Sequence, residues 1–444
     1  MMRQKTTSMS AEDCRDPGRG GWSRWLLAAL GAVATVGCYS PAAKFELNKI
    51  AIHKRELENE ATFSQQYQLT PIAKILADQF GTPDEPKLPN VPGIEDFLDL
   101  EKLKMAAGPY GSDKDGKQRG LYRQHCVHCH GINGDGAGPT AAFLNPYPRD
   151  YRPGKFKFKS TASGLPPTHQ DLKRIIEDGA AGTAMPSFKL LSEDEIEALT
   201  QYVKYLSLRG EAELYMIEAQ FGDLYPAVMK PADKRNEEEQ KYVAELSPEE
   251  IEEEKAEFLE EVEFFESEEN IVDEVIGPIV DKWLDAEEEV TVIEPKPEMD
   301  IHESIEKGRE LFFSSKTGCA GCHGESALGD GQTAEADFYD DWTRFYYDPS
   351  DPSTLEGYLA LGALEPRKLR PRNLRQGVFR GGRRPIDIFW RIRNGIDGAK
   401  MPAAPPIVTD EEIWHLVDFV RMGLPYDPLS ENEPHQPENL RERN

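Results

Sequence analysis

Cysteine is scarce in this chain, with six residues in a sequence of 444. Four of the six form two closely spaced pairs. The other two, Cys14 and Cys38, flank the apolar stretch near the N-terminus. No cysteine is left over for a disulfide framework. The chain is nevertheless long enough for two or three domains.

Long apolar runs are also nearly absent. The run at residues 25–36 follows a basic, polar stretch that ends at Arg24, and it is too short to span a bilayer core of about 30 Å comfortably. This pattern predicts a secretory signal peptide over residues 1–38. No other segment approaches membrane-spanning length.

The end of this segment is compatible with three forms of the exported protein. Gly37-Cys38 resembles the end of a bacterial lipobox, although Thr35 stands where that pattern usually has Leu, and it predicts lipid attachment at Cys38. Ordinary cleavage near Gly37 and an uncleaved anchor are the alternatives. All three place the mature chain outside the cytoplasm. We therefore expect a periplasmic protein that is associated with the membrane through its N-terminus, and nucleic acid is excluded as a partner.

One five-residue motif, C-x-x-C-H, occurs twice, at residues 126–130 and 319–323. Two thiols at this spacing can each add to one vinyl group of the same porphyrin, and the adjacent histidine can ligate the iron. A thioredoxin-type or zinc C-x-x-C site is the alternative, but a four-ligand zinc site would have to join two motifs that are far apart in the sequence. The motifs predict two covalently bound haem c groups, attached through Cys126, Cys129, Cys319 and Cys322.

The two motifs begin a longer duplication. Gly134-Asp135-Gly136 follows the first motif, and Gly329-Asp330-Gly331 follows the second. Residues 148–157 then align without a gap on 371–380. Residues 171–186 align on 387–402, and both of these blocks end in Gly-x-x-Gly-x-x-Met-Pro. Because the blocks come in the same order twice, we predict two homologous haem domains.

Each repeat closes with a predicted amphipathic helix. Ser192 with Glu195, and Thr409 with Glu412, form capping boxes at the two helix starts. Apolar residues then recur at helical spacing and should pack on the opening, haem-bearing helix. They are Ile196, Leu199, Val203 and Leu206 in the first repeat and Ile413, Leu416, Val417 and Val420 in the second.

Each repeat resembles a class I c-type cytochrome domain, in which an N-terminal helix runs into C-x-x-C-H and a Met-Pro loop precedes a C-terminal helix. The resemblance implies a mainly α fold with two class I cytochrome c-like helical domains, 106–210 and 303–425. An acidic, partly helical linker, 211–302, joins them. A helical N-terminal extension, 39–105, and a C-terminal tail, 426–444, complete the chain.

Two segments have no counterpart in the repeat. In the extension, Thr70 and Pro71 should start an accessory helix that Gly81 ends. In the second domain, an aromatic-rich insertion lies between Asp330 and Arg367. We expect it to build extra core or to cover a haem edge, with a docking surface as the alternative.

A haem iron needs a sixth ligand beside the motif histidine, unless it is open to a substrate. Met185 and Met401 occupy aligned positions before Pro. We therefore assign His130 and Met185 to the first iron, and His323 and Met401 to the second. Thioether ligation raises the reduction potential. A closed, six-coordinate iron transfers electrons and does not readily bind oxygen or peroxide.

Arginines add two further predictions. Arg149 and Arg372, at matching places in the aligned blocks, could pair with haem propionates, with surface salt bridging as the alternative. Residues 367–393 are rich in arginine, whereas residues 237–294 hold 24 acidic and 3 basic residues, a net charge of −21 against −28 for the whole chain. We expect the acidic connector, with a helix that starts at Ser247, to fold back onto the arginine cluster. The alternative is that the cluster steers an acidic redox partner.

The resemblance implies single-electron transfer in a bacterial respiratory chain, with redox proteins or subunits of a respiratory complex as partners. The chain would be an electron carrier, or the cytochrome subunit of a larger dehydrogenase or oxidase, rather than an enzyme. A dihaem enzyme, peroxidase-like or thiosulfate dehydrogenase-like, is the alternative. It would need one iron with a displaceable or unusual ligand, and the matching Met-Pro loops argue against that.

Overall fold

The computed structural model describes residues 42–60, 62–219, 225–331, 339 and 341–425. The predicted signal peptide with Cys38, and the C-terminal tail, lie outside these ranges. The described part is mainly α-helical, as predicted. No helix within it combines the length and the apolar character needed to cross a membrane.

Helices of the extension and the first domain are α1 (Lys49–Glu58), α2 (Thr70–Phe80), α3 (Ile94–Phe97), α4 (Leu100–Ala106), α5 (Leu121–His125), α6 (Val127–His130), α7 (His169–Asp178) and α8 (Glu193–Ala219). The connector contains α9 (Glu237–Glu245), α10 (Pro248–Glu266), α11 (Glu268–Ile271) and α12 (Gly277–Glu288). The second domain contains α13 (Ile301–Phe313), α14 (Cys319–His323), α15 (Asp341–Arg344), α16 (Leu355–Ala360), α17 (Pro385–Asn394) and α18 (Asp410–Asp418). Short π-helical turns at Gln65–Leu69, Val272–Ile276 and Phe419–Gly423 adjoin α2, α12 and α18.

Helix α2 of the extension has the limits that the sequence predicts. Pro71 lies in its first turn, and Gly81 ends it with a φ of +72°. Ile72, Leu76 and Phe80 are buried, and the Phe80 ring lies 5.9 Å from the ring of Tyr205 in α8. Full burial of such side chains contributes roughly 1.5–3 kcal/mol each. The extension is thereby packed against the first domain.

In each domain the closing helix packs on the opening helix. The capping boxes form as predicted, with the backbone N–H of Ser192 donating to Glu195 at 2.8 Å and that of Thr409 donating to Glu412 at 2.9 Å. All eight predicted apolar residues of α8, α18 and the turn after α18 are buried. An aromatic pair lies between the two helices at matching places. The ring centres of Tyr122 and Tyr202 are 4.9 Å apart in the first domain, and those of Phe312 and Phe419 are 5.3 Å apart in the second.

The two opening helices differ in continuity. In the second domain, α13 is a single helix of 13 residues, and it crosses α18 so closely that a Cβ on Gly308 would lie 2.0 Å from the His415 carbonyl oxygen. In the first domain, α4 and α5 are separated by a small hairpin. Its two-residue strands, β1 (Gly111–Ser112) and β2 (Gln118–Arg119), pair antiparallel.

The acidic connector packs on the first domain and the extension. Trp283 of α12 is buried, and its indole N–H donates to Glu211 of α8 at 2.6 Å. On α10, the buried Phe258 contacts the rings of Tyr67 and Tyr225 at about 6 Å. The predicted connector helix, with Ser247 as its cap, therefore forms.

The predicted contact between this connector and the arginine cluster is wrong for at least four arginines of the cluster. Arg384 pairs with Asp387, and Arg393 pairs with Asp410. Arg391 donates to backbone carbonyls of its own domain. Arg367 donates to carbonyl oxygens of the first domain and lies over the Tyr147 ring. These guanidinium groups are thus paired with carboxylates and carbonyl oxygens outside the connector.

The insertion in the second domain packs on helix α1. The Tyr358 ring lies 4.9 Å from the imidazole of His53, and the ammonium of Lys54 lies 4.3 Å from the centre of the Phe345 ring. Tyr346 and Tyr358 are also buried. The aromatic residues thus build extra core between the extension and the second domain, which was the first role predicted for the insertion.

Candidate functional site

The first C-x-x-C-H motif folds as one tight turn after α5. The backbone N–H groups of Cys129 and His130 both donate to the carbonyl oxygen of Cys126, at 3.1 and 2.9 Å. Gly131 then leaves the helix with a φ of +72°. Both thiols are half-buried and unpaired with one another. The geometry leaves the two sulfur atoms available to a single group beside the turn.

His130 is held in one tautomer by the protein. Its Nδ1–H donates to the carbonyl oxygen of Arg149 at 3.0 Å, and its ring is stacked on Tyr151 at 4.7 Å. Because Nδ1 carries the proton, Nε2 keeps its lone pair for a metal. A hydrogen bond of this kind orients a ligating histidine and raises its basicity.

The second motif has the same arrangement. The Nδ1–H of His323 donates to the carbonyl oxygen of Arg372 at 3.1 Å, and Gly324 ends α14 with a φ of +77°. Arg149 and Arg372, which the aligned blocks place at the same position, thus each accept the histidine hydrogen bond through the backbone carbonyl oxygen. The gapless alignment of residues 148–157 on 371–380 is thereby supported by geometry.

Burial shifts the pKa of one thiol and of the iron-facing histidine in each motif toward the neutral form. It lowers the pKa of His130 to about 4 and raises the pKa of the Cys126 thiol to about 12; burial likewise lowers the pKa of His323 and raises that of Cys319. Redox-active and zinc-binding cysteines react as thiolates. Across the described ranges, no group of three His, Cys, Asp or Glu side chains is placed to bind a metal ion. Within these ranges, the zinc alternative is not supported.

The two Met-Pro loops have one backbone design. Ala180 N–H donates to the Met185 carbonyl oxygen at 3.2 Å, and Ile396 N–H donates to that of Met401 at 3.0 Å. Each loop leaves its helix at a glycine of positive φ, +71° at Gly179 and +74° at Gly395. A Cβ at either glycine would lie under 3 Å from the backbone after the Met-Pro pair. Both methionines are half-buried.

One detail of the predicted alignment is wrong. The chain turns back on each motif at the same distance from its histidine. The backbone N–H of Gly136 donates to the carbonyl oxygen of His130 at 3.0 Å, and that of Gly329 donates to the carbonyl oxygen of His323 at 2.9 Å. Gly136 is therefore the counterpart of Gly329, and Gly134 is not. Asp135 and Asp330 differ in backbone register, yet each carboxylate lies against the glycine that follows its motif. The side chain reaches the same place from a different position.

The side chains of Arg149 and Arg372 lie at the junction of the two domains. A Cβ on Gly182, in the Met185 loop, would be 2.8 Å from Nη2 of Arg372. Arg149 lines a cleft of about 650 Å³ together with Gly398, in the Met401 loop. Arg372 therefore lies against the Met-Pro loop of the other domain. Arg372 also donates from Nε to the Val378 carbonyl oxygen at 3.1 Å, and burial lowers its pKa.

Trp390 is a candidate that the sequence patterns did not single out. Its indole N–H is buried without a hydrogen-bond partner in the protein, and it lies on α17, the helix that leads into the Met401 loop. Buried indole N–H groups normally have a partner. A haem propionate is an acceptor of the right kind, so this orphan donor fits a haem in the second domain. The aligned position in the first domain is Arg174, so a comparison of the two repeats does not mark Trp390 as a shared residue.

Other described histidines have protein partners or are exposed. His169 contacts Glu197 at 3.0 Å, and His415 contacts Ser304 at 2.9 Å. His125 is half-buried against Phe188, and His128 is exposed. His169 is thus paired with the closing helix of its own domain, which leaves the methionines as the better sixth-ligand candidates.

Two helical units, each with a C-x-x-C-H turn, a carbonyl-bound histidine and a Met-Pro loop, define a multi-domain c-type cytochrome. Such domains bind haem c covalently and serve electron transfer. More particularly, residues 114–203 and 303–420 match the model of the family described as cytochrome c oxidase, cbb3-type, subunit III.

No curated protein matches the chain. Among solved structures, one chain of the reducing HAO-like protein complex of Kuenenia stuttgartiensis is similar, at 21% identity and a TM-score of 0.38. The likeness covers 70% of this chain and 96% of that one, and it is too remote to carry an argument.

Proposed function

We propose that this protein is an exported dihaem electron carrier, with one haem c on each motif and histidine–methionine ligation at both irons. The repeated Nδ1–H to carbonyl bond, made by His130 to Arg149 and by His323 to Arg372, carries the proposal. It fixes Nε2 as the free nitrogen in both domains. The family match of both segments supports the same function.

The residues of each site have separate tasks in this proposal. The cysteine pairs would hold the porphyrin by thioether bonds, and His130 and His323 would ligate the two irons. Met185 and Met401 would supply the second protein ligand of each iron and so exclude small ligands. When bound, haem c supplies an iron that accepts and releases one electron.

Contact between the domains supports electron transfer within the chain. Arg372 binds His323 through its carbonyl oxygen, and its guanidinium lies against the Met185 loop at Gly182. The buried pair of Arg174 and Asp387 joins α7 to α17, the two helices that lead into the Met-Pro loops. The ligand-bearing loops of one domain are therefore packed on the other.

The proposed setting is the periplasmic side of a respiratory membrane. The signal-peptide pattern and Gly37-Cys38 support export and membrane association through the N-terminus. The match to an oxidase subunit family supports a role in carrying electrons to or within a terminal oxidase complex. Redox proteins or subunits of such a complex would be the partners.

The test is spectroscopic, on the full-length, haem-loaded protein. A haem assay should give two haems per chain, and Cys126→Ser with Cys129→Ser, or Cys319→Ser with Cys322→Ser, should leave one. The oxidised protein should have the weak far-red thioether band. Met185→Leu and Met401→Leu should each remove about half of it, whereas Met105→Leu, at a half-buried methionine of the first core, should not.

Two results would contradict the proposal. A wild-type protein without the far-red band would exclude methionine ligation. Rapid binding of cyanide or peroxide to one haem of the wild-type protein would favour the dihaem enzyme, because a closed iron binds neither readily.

A further inference from the structure

The two Met-Pro loops are stabilised by different contacts. In the first loop, the Thr183 hydroxyl donates to the Ala180 carbonyl oxygen at 2.7 Å and accepts from the Met185 N–H at 3.1 Å. In the second loop, Ala399 occupies the position of Thr183. This hydroxyl bridge is therefore missing from the Met401 loop.

The second loop instead carries a carboxylate, Asp397, where the first has Ala181. Asp397 accepts from the ammonium of Lys159 at 2.7 Å, from the Ser163 hydroxyl at 2.5 Å and from the Gly164 N–H at 3.2 Å. All three donors belong to the first domain. They lie between the two aligned blocks, where the first domain is longer than the second.

Lys159 is specialised for this contact. Its side chain is only 4% exposed, and its ammonium also donates to the carbonyl oxygens of Ala162 and Leu165, at 2.6 and 2.5 Å. A lysine ammonium has three protons, and the three acceptors satisfy all of them without water. The ion pair is fully built by the protein, in contrast to a mobile surface pair.

The contact is transmitted to Met401 by one residue of backbone. Asp397 follows Ile396, whose N–H donates to the Met401 carbonyl oxygen at 3.0 Å. Asp397 is itself largely buried, at 12% exposure. Without Lys159 its negative charge would lie buried with neutral donors only, which is unfavourable. The carboxylate would move toward water and take the loop with it.

We propose that Lys159 of the first domain is a positioning residue for the Met401 loop of the second, so that Met401 stays in its ligating position only while the Lys159–Asp397 pair joins the two domains. The inference rests on the proposed function, in which Met401 is an axial ligand. It predicts that the two irons differ in what keeps them closed. The first loop has the Thr183 bridge within its own domain, whereas the second loop lacks that bridge and depends on Lys159 of the other domain.

The experiment uses the full-length, haem-loaded protein with Lys159→Met. The far-red thioether band should lose about half of its intensity, and cyanide should bind one haem at least about tenfold faster than in the wild type. One midpoint potential should fall, because loss of the Met401 sulfur as a ligand favours ferric iron. The other potential should not change. Lys159→Arg, which keeps the cation, should restore a large part of the band.

Lys189→Met is the matched control. Lys189 pairs with Asp178 at 2.6 Å beside the first Met-Pro loop, but both side chains are exposed, at 65% and 43%. Neither the band nor cyanide binding should change. Asp397→Asn is a smaller change and gives a second test if Lys159→Met does not fold. It should also remove the far-red band of one haem.

The outcomes separate the inference from the function on which it rests. Absence of the far-red band from the wild-type protein would overturn methionine ligation itself. A wild type with two thioether-ligated haems, together with unchanged band, potentials and cyanide binding in Lys159→Met or Asp397→Asn, would overturn the positioning role alone.

Discussion

Arg174 and Asp387 form an ion pair across the domain interface, with the guanidinium Nη1 2.7 Å from the carboxylate Oδ1. The two side chains are 10% and 2% exposed. Arg174 lies on α7 and Asp387 on α17, which occupy matching places in the repeat. Asp387 also caps α17 through its contact with Arg384. The charge that joins the domains is thus part of the helix that leads into the Met401 loop.

Removing the cation from this pair should destabilise the protein. Arg174→Met should lower the free energy of unfolding by about 2 kcal/mol, because Asp387 stays buried and keeps Arg384 as its remaining cationic partner. Chemical denaturation of the haem-loaded protein measures the change. Lys189→Met, at an exposed pair, should have little effect. A loss in Arg174→Met no larger than that of the control would contradict the prediction.

The pair of His169 and Glu197 should give an acid-dependent contribution to stability. The hydrogen bond from His169 lowers the pKa of Glu197 from 4.5 to about 2. A carboxyl group with a lowered pKa in the folded state stabilises that state above its unfolded pKa, and the stabilisation is lost as the pH falls through the folded pKa. Wild type should therefore exceed Glu197→Gln in stability above pH 4.5 and lose this advantage between pH 4.5 and pH 2.

Denaturation curves of both proteins at stepwise pH measure this difference. His169→Gln should give the same profile against wild type, since it removes the main cause of the lowered pKa. An advantage over Glu197→Gln that is independent of pH in this window would show that the carboxylate charge is not what stabilises the fold.

A side chain at Gly179 should distort the first Met-Pro loop. The residue has a φ of +71°, and a Cβ would lie 2.6 Å from the carbonyl carbon of Pro186. Gly179→Ala should cost about 2 kcal/mol or more in stability and should weaken the far-red band. Gly116 has a φ of +79° with nothing within 4 Å of its Cβ position. Gly116→Ala should incur only the backbone strain and leave the band intact.

Replacing Trp390 should affect one haem alone. Trp390→Phe removes a buried N–H that has no partner in the protein. If a propionate is the missing acceptor, its negative charge is less well compensated in the variant, and one midpoint potential should fall. Redox titration measures this. Two unchanged potentials, with unchanged or higher stability, would mean that the indole N–H has no acceptor in the holoprotein.

Features with a local signal were predicted best from the sequence. The capping boxes of Ser192 and Thr409, the Gly81 stop of α2 and the apolar faces of α8 and α18 depend on neighbours within a few residues, and all are confirmed. Features that depend on which distant groups meet were missed. The prediction that the connector lies on the arginine cluster rests on opposite charge alone. Trp283 and Phe258 instead determine its position, since burying aromatic surface outweighs long-range attraction between solvated charges.

The site shows the same division. The motif residues and the aligned methionines are visible as a repeat, whereas Lys159, Asp397 and Trp390 matter through contacts that no spacing rule contains. Lys159 and Asp397 even lie where the two repeats differ, so a comparison of the repeats for common residues passes over them. The ligand assignment itself stays a prediction until the spectra are measured.

In the contact between Lys159 and Asp397, the lysine belongs to the domain that comes first in the sequence and the aspartate to the domain that follows it. A polypeptide is made from its N-terminus, and domains generally fold as units in that order. The finished first domain would then be a template for the second, which adds its Met401 loop to a surface that already exists. Maturation should therefore be sequential. Chains that receive haem only at the second motif should mature poorly, while those that receive it only at the first should persist.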